Sequence, residues 1–297
     1  MKNYDIVIFG NYTKDTIISA AGTRYVDGGG FNYGAHAAAC SGLKVAAVTR
    51  LAREDDRVIR SLESAGIDVY PTFTESSTHM RLEYPTDNVD ERVLTCPVSA
   101  GTYTIDQFAG LEARAYLINA SIRHEVPYEI VKFLADKDGL VVADAQGFIR
   151  IVGKDNVLVN AEWPEKRKVL ALIDIFKADI VEAESLTGEG DLRRAAEILA
   201  GWGPQEIVLT HRDGIVVFAE GEFHAATFYP EPLIGRSGRG DTCIASYAAR
   251  RLSAPPAEAI IWSAALTSLK MEAEGPIKKT AVDVENLIKR KYSTGKE

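Results

Sequence analysis

Short, unbroken apolar runs recur along the chain and alternate with segments whose apolar residues fall three and four apart. The first run, residues 6–9, is bounded by Gly10-Asn11, the pattern of a strand buried on both faces of a parallel sheet. Residues 16–26 are β-prone and broken by Gly22, which predicts a hairpin leaving the main sheet. Asp27-Gly28-Gly29-Gly30-Phe31-Asn32 then leads into an alanine-rich helix with Gly42 as its C-terminal cap. A buried-type strand at 45–48 and an amphipathic helix at 55–65, closed by Gly66, continue a β–α rhythm. Between 70 and 98 the rhythm fails, because residues 72–74, 79–84 and 92–96 alternate with the period of two of half-exposed antiparallel strands. Segments 16–26 and 70–98 therefore predict one small sheet, discontinuous in sequence, placed as a lid.

After residues 104–111 the alternation resumes with a strand at 115–118, a helix at 128–137, a strand at 140–143 ending in Asp144, a helix near 166–176 and a strand at 179–181. A helix at 192–199, a strand at 207–210, and a hairpin at 215–219 and 223–228 turning on Glu220-Gly221-Glu222 follow. Helices at 256–272 and 282–291 close the chain. The pattern predicts a single α/β domain over residues 1–297, a doubly wound, mostly parallel sheet flanked by helices, with the β lid on top. Strand ends deliver polar residues such as Asp144 and Thr210, as expected where the carboxyl edge of a parallel sheet forms the ligand crevice.

Composition narrows the function. With 34 Lys+Arg against 42 Asp+Glu the net charge is −8, and no basic run interleaves with aromatics, which argues against nucleic acid and anionic membranes as partners. Cys40, Cys96 and Cys243 have no paired spacing, so neither a disulfide framework nor a zinc site is expected. No apolar run approaches the roughly 20 residues of a membrane span, and a cytoplasmic protein is expected.

The stretch with the most chemistry is Gly235-Arg236-Ser237-Gly238-Arg239-Gly240-Asp241, a glycine-rich turn running into a small-residue helix that ends on Arg250-Arg251. The N–H groups of the turn and the positive end of the helix dipole would converge on an anion, with Asp241 beside it as a proton acceptor. Gly235 and Gly240 have the spacing of a nucleotide-binding P-loop, but Asp241-Thr242 stand where that loop needs Lys then Ser or Thr. His211-Arg212-Asp213 spells the start of a protein-kinase catalytic loop, yet Phe218 occupies the metal-binding asparagine position. Asp179, Glu182 and Glu184 form an acidic group that suits either a helix start or a metal. His36 and His124 stand alone and are expected to be structural.

Taken with both glycine turns and the split lid, the chain resembles the ribokinase-like, or phosphofructokinase-B, family of carbohydrate kinases, and its segment Asp144-Ala145-Gln146-Gly147-Phe148-Ile149-Arg150 is similar to that of myo-inositol kinase-like members. The motifs carrying the resemblance are Gly10-Asn11 with Asp15, Gly28-Gly29-Gly30-Phe31-Asn32, Glu182-Ala183 with Leu186-Thr187-Gly188, and Gly238-Arg239-Gly240-Asp241. It implies an ATP- and Mg²⁺-dependent kinase that transfers the γ-phosphoryl group to a hydroxyl of a sugar or cyclic polyol. By the same resemblance Asp241 is the base, and Gly238, Arg239 and Gly240 with Asp241 form the anion hole. Asp15, Gly29, Gly30 and Asn32 bind substrate hydroxyls, Glu182 organises Mg²⁺, and Thr210 and Gly214 contact the nucleotide. A nucleoside kinase of the same fold and a silent sugar-binding protein are the alternatives, and the antiparallel lid suggests a homodimer through it. Four positions depart from the family pattern: Arg239 replaces a small residue, Asp179 replaces an asparagine, the loop from Thr210 to Gly214 is one residue short, and either Asn32 or Tyr33 takes the expected asparagine position.

Overall fold

The computed structural model describes residues 2–86 and 92–292. β1 (Lys2–Phe9) enters the middle of a nine-stranded sheet, and the hairpin of β2 (Thr13–Ser19) and β3 (Gly22–Gly28) leaves it before α1 (Gly30–Cys40) returns. β4 (Val45–Ala52), α2 (Arg57–Ser64) and β5 (Asp68–Thr74) build the sheet to one edge. β6 (Thr78–Glu83) and β7 (Val93–Val98) join the earlier hairpin in a four-stranded sheet ordered β3-β2-β6-β7, in which β2 and β6 run parallel and the other pairs antiparallel. The small sheet thus starts at Thr78, not at residue 70, because Ala46 to Ala52 of β4 pair in parallel with β5 and draw Thr72-Phe73-Thr74 into the main sheet. Residues 87–91 of the expected lid segment lie outside the described residues.

The other half of the main sheet is laid down by β8 (Leu111–Ile118), α3 (Tyr128–Ala135), β9 (Leu140–Asp144), the short α4 (Gln146–Ile149), and the hairpin of β10 (Arg150–Val152) and β11 (Leu158–Asn160). Next come α5 (Lys166–Leu170), β12 (Ile175–Asp179), α6 (Ile180–Thr187), α7 (Leu192–Ala200), β13 (Glu206–His211), β14 (Gly214–Ala219) and β15 (Glu222–Thr227). α8 (Arg239–Arg251), α9 (Pro256–Met271) and α10 (Ala281–Lys291) complete the fold. The strand order is β15-β14-β13-β12-β9-β8-β1-β4-β5, parallel except for the β13-β14-β15 edge.

Two boundaries differ from the sequence pattern. The helix expected at 166–176 stops at Leu170, and the strand expected at 179–181 is Ile175–Asp179 followed by helix. The apolar run there suits either period. The Asp174 side chain accepts from the Val141 N–H at 2.7 Å and its carbonyl accepts from Glu206 N at 3.0 Å, which fastens the next residues between β9 and β13. Asp179 then caps α6 through a reciprocal pair of bonds with Glu182, so the backbone turns helical at Ile180.

Period two inside the continuous apolar strands explains the layering. Ile6 and Ile8 of β1 share one core with α1, α2, α8, α9 and α10, while Val7 and Phe9 share the opposite one with α3, α5, α6 and α7. Among the described residues no helix is long and apolar enough to cross a membrane.

α8 is held firmly at its far end. Glu206 at the start of β13 accepts from Tyr247 Oη at 2.6 Å and from the Arg251 guanidinium at 2.6 and 2.9 Å, on side chains with little solvent access. These bonds fix the direction in which the N-terminus of α8 points. Removing one partner of such a pair strands the other charge, so Glu206→Ala is expected to lower unfolding free energy by about 3 kcal/mol. Chemical denaturation would measure it, and a loss below about 1 kcal/mol would contradict the anchoring role.

Candidate active site

The carboxyl ends of β1, β8, β9, β12 and β13 deliver Asn11, Asn119, Asp144, Asp179 and Thr210 to one edge, opposite the N-termini of α1 and α8. Gly238 has φ 78 and precedes α8 as its cap, a left-handed conformation that suits glycine. It also has no room for a side chain, since a Cβ there would lie 2.2 Å from the Tyr33 ring. Lys270 of α9, buried, donates to the carbonyls of Gly235 (3.0 Å) and Ser237 and pins the turn from below. Burial pushes the Lys270 ammonium down to about 8.

Asp241 occupies the first turn of α8, half-buried. Its Oδ1 accepts from Gln146 Nε2 at 2.9 Å. Burial raises its pKa, opposed by the cations of Lys177 and Arg150 and by the Gln146 amide. The glycine turn before α1 presses against it: a Cβ on Gly30 would stand 2.6 Å from Asp241 Oδ1 and 2.6 Å from the Asn119 carbonyl oxygen. Two positions earlier, a Cβ on Gly28 would meet Asp15 Oδ2 at 2.2 Å. Asp15, the glycine turn and Asp241 thus lie side by side. Gly29, at φ 95, sits over the Asn11 carbonyl, and the Asn32 amide donates to the Asp27 carbonyl at 3.1 Å while its own Oδ1 is buried without a partner. Asn32 therefore bonds back to the start of the glycine turn, and Tyr33 is the residue that packs under Gly238.

A cavity of about 820 Å³ opens on the other side of Asp241. Gly238, Arg239, Gly240, Glu182 and Thr210 line it, together with Ile17, Ser19 and Arg24 of the small sheet. Asp15, Gly29, Gly30 and Asn32 are not part of its lining, and Gly30 abuts Asp241. Gly214 stands outside this lining: it pairs with His211 and Thr227 in the β13-β14-β15 edge, and a Cβ there would be 2.4 Å from the Ala226 carbonyl oxygen. Arg239 reaches back along the wall, its Nη1 3.5 Å from the Arg212 carbonyl oxygen. His36 bonds the Asn32 carbonyl at 2.8 Å, a structural contact within α1.

Glu182 has a different setting from the one expected of a metal ligand. Its Oε2 accepts from the Asp179 N–H at 2.8 Å and lies 3.5 Å from Lys177 Nζ, and its Oε1 lies 3.8 Å from Arg150. Glu184 is exposed. Among the described residues no group of three or more His, Cys, Asp and Glu side chains converges to hold a metal. Magnesium needs several oxygen ligands near 2.0–2.1 Å, and these residues do not fit direct coordination of it.

Several site residues escaped the sequence reading. Lys177 was hidden in the apolar run around β12, and Gln146 and Arg150, noted only within the segment that carries the resemblance and given no role, begin and follow the unforeseen α4. Asn119 gave no motif, yet it is buried, donates to the Gly30 carbonyl at 2.8 Å and lies against the turn that faces Asp241. Its only signal was its place one residue past a strand at the carboxyl edge.

Two expectations follow from these contacts. Gly30→Ala should cut turnover by about 10²-fold through displacement of Asp241, while Gly190→Ala, where a Cβ meets nothing within 4 Å, should leave it unchanged; steady-state kinetics on both variants checks this. The Asp15 carboxyl is pushed up to about 7, by burial first and then by the Asp241 and Asp27 charges against a bond from Thr13. Its folded pKa thus exceeds the unfolded value of about 3.9, so ionising Asp15 penalises the fold increasingly between those pH values and fully above about 7. Asp15→Asn should raise Tm at about pH 8, with the gain shrinking toward about pH 4.

Residues 3–281 match the family described as pfkB family carbohydrate kinase. The chain is 27% identical over 252 residues to the cytidine kinase of Thermococcus kodakarensis, covering 80% of this chain and 84% of the relative. A solved pyrophosphate-dependent kinase in the ribokinase family, in complex with a pyrophosphate analogue and myo-inositol, is 32% identical with a TM-score of 0.87, over 95% of this chain and 99% of that one. The sulfate complex of a pyrophosphate-dependent kinase in the same family gives 33% and 0.88, over 94% and 99%. Ribokinase of Arabidopsis thaliana, solved with ribose and ATP, shares the fold at 18% identity and a TM-score of 0.75, over 97% and 99%. The chain belongs to the pfkB family of carbohydrate kinases and is a kinase of ribokinase-like fold.

Proposed function

We propose that the protein transfers a phosphoryl group from a pyrophosphate donor to a hydroxyl of a sugar or cyclic polyol. The observation that carries this reading is the position of Asp241, with the glycine turn of α1 on one side and a cation-lined cavity on the other. Asp241 takes the proton of the acceptor hydroxyl as its oxygen bonds to phosphorus. The bridging P–O bond of the donor breaks and orthophosphate leaves. Charge spreads over the transferring oxygens, which face the backbone N–H groups at 238–241 and the positive end of α8. Asp15 and Asn32 hold acceptor hydroxyls, short polar side chains suited to a polyol.

The donor preference rests on the cavity wall. Arg150, Lys177, Arg212, Arg236 and Arg239 all line it, and Arg239 replaces the small residue of the family pattern. This density of guanidinium groups suits a donor that is all phosphate. The relatives of known structure at 32 and 33% identity are pyrophosphate-dependent by name, which supports the same choice. Gly214, expected to contact a nucleotide, is taken up by strand pairing.

One feature favours ATP instead. A second cavity of about 510 Å³ shares His211 with the first and is lined by Ile215, Ala226, Tyr229, Ile261 and Tyr292, an apolar and aromatic setting that a purine base would suit. Phosphate release or nucleotide turnover across inositol, pentoses, hexoses and nucleosides, with pyrophosphate and ATP as donors in parallel, separates the readings. Turnover with pyrophosphate and a polyol is expected. Turnover only with ATP transfers the donor assignment to the second cavity, and turnover only with nucleosides removes the polyol. In the active pair, Asp241→Asn should lower kcat by about 10²–10⁴-fold while donor binding persists; unchanged kcat would remove Asp241 as the base.

A further inference from the structure

Lys177 stands in β12 as a cation inside an otherwise apolar strand, with 4% of its surface accessible. A buried ammonium is costly unless paired, and this one is paired closely. Its Nζ lies 3.1 Å from both carboxylate oxygens of Asp144 and 3.5 Å from Glu182 Oε2. The same nitrogen would be 2.9 Å from a Cβ on Gly240, so it sits against the first turn of α8 beside Asp241. Burial opposes its charged form, but Asp144, Glu182, Asp179 and Asp241 outweigh that and hold it as an ammonium. Arg150 supplies a second cation to Glu182 from the opposite side.

Carboxylates gathered at the edge of a phosphoryl-transfer cavity are the ordinary means of holding a divalent ion. Here the gap between Asp144 and Glu182 is filled. An ammonium that donates to Asp144 Oδ1, lies 3.1 Å from Oδ2 and 3.5 Å from Glu182 Oε2, and a magnesium ion bridging the two carboxylates would require the same space. We propose that Lys177 is a resident cation of the transfer site, its ammonium standing where a protein-held divalent ion would otherwise sit, so that the protein alone binds no divalent ion there. Any divalent ion the reaction uses then arrives on the phosphates of the donor. Lys177 also places one fixed positive charge next to the turn at Gly240, where charge develops on the transferring group, a preorganised contribution that needs no rearrangement during reaction. The term transfer site rests on the function proposed above, while the filling of the carboxylate gap does not.

The test is made on the full chain without donor or acceptor. Mn²⁺ is titrated into the wild-type protein and followed by electron paramagnetic resonance, and Tm is recorded with and without millimolar Mg²⁺. No site-specific Mn²⁺ binding and no Mg²⁺-dependent shift are expected. Lys177→Ala should melt earlier, bind one Mn²⁺ ion per chain, and recover several degrees of Tm with Mg²⁺, because a ligand that binds only the folded state stabilises it. Lys177→Gln, which keeps length and polarity, should behave alike and serves if the alanine variant does not fold. Donor-free Mn²⁺ binding by the wild type that Glu182→Gln abolishes would overturn the proposal, as would folded Lys177 variants whose Tm is indifferent to Mg²⁺. Failure of the donor and acceptor panel leaves these measurements readable, so the two proposals fail separately.

Discussion

The contact on which the site depends is the close approach of three backbone segments around the carboxylate of Asp241. The turn before α1, the first turn of α8 and the end of β9 with α4 all meet there, and two of them do so only because they lack a Cβ. At Gly30 a methyl group would enter Asp241 itself, and at Gly240 it would enter Lys177. Interiors are packed too tightly to absorb such an intrusion, so these glycines record the distance at which the glycine turn, Asp241 and Lys177 are held. The same contact explains why the anchors of α8 lie far from the chemistry. Glu206, Tyr247 and Arg251 fix its last turns, Lys270 fixes the turn before its first residue, and the dipole end is thereby aimed.

Charge organises the two sides of Asp241 differently. On the glycine-turn side, Asp15 and the buried Asn11, Asn32 and Asn119 keep side-chain oxygens without a hydrogen-bond partner, while the asparagine amides donate to backbone carbonyls. On the cavity side, arginines from β3, from β10, from the turn between β13 and β14 and from the 236–239 turn line the wall, where Asp144 and Glu182 are paired with Lys177 and Arg150. Asp241 lies at the boundary, where a proton acceptor is required. Burial raises its pKa, and the neighbouring cations and the Gln146 amide restrain that rise.

While the grouping of Asp15 and the triple glycine with Asp241 came from what the family resemblance implies, the sequence pattern alone conveyed the fold class and the carboxyl edge as the ligand crevice. These features are local: buried parallel strands announce themselves as short apolar runs, and glycine turns before helices by residue type. The boundary of the small sheet was not legible, because Thr72-Phe73-Thr74 alternates in either setting and only pairing with β4 assigns it. The division of 166–179 into helix and strand failed for a similar reason, since both periods fit the run and Asp174, bonded to β9 and β13, decides between them.

The site itself divides along the same line. Sequence determined the glycine turns and the helix N-terminus at which Asp241 stands, because backbone conformation and helix-terminal position are set within a few residues of chain. Tertiary structure alone decided what those residues face. Lys177 became the partner of Asp144 and Glu182, Gln146 the partner of Asp241, and Asn119 the clamp on Gly30, each across 33 to 95 residues of chain for the pairs of Lys177 with Asp144, Gln146 with Asp241 and Asn119 with Gly30. Such pairings depend on sheet order and on which side of a strand a residue takes, and no local signal encodes either.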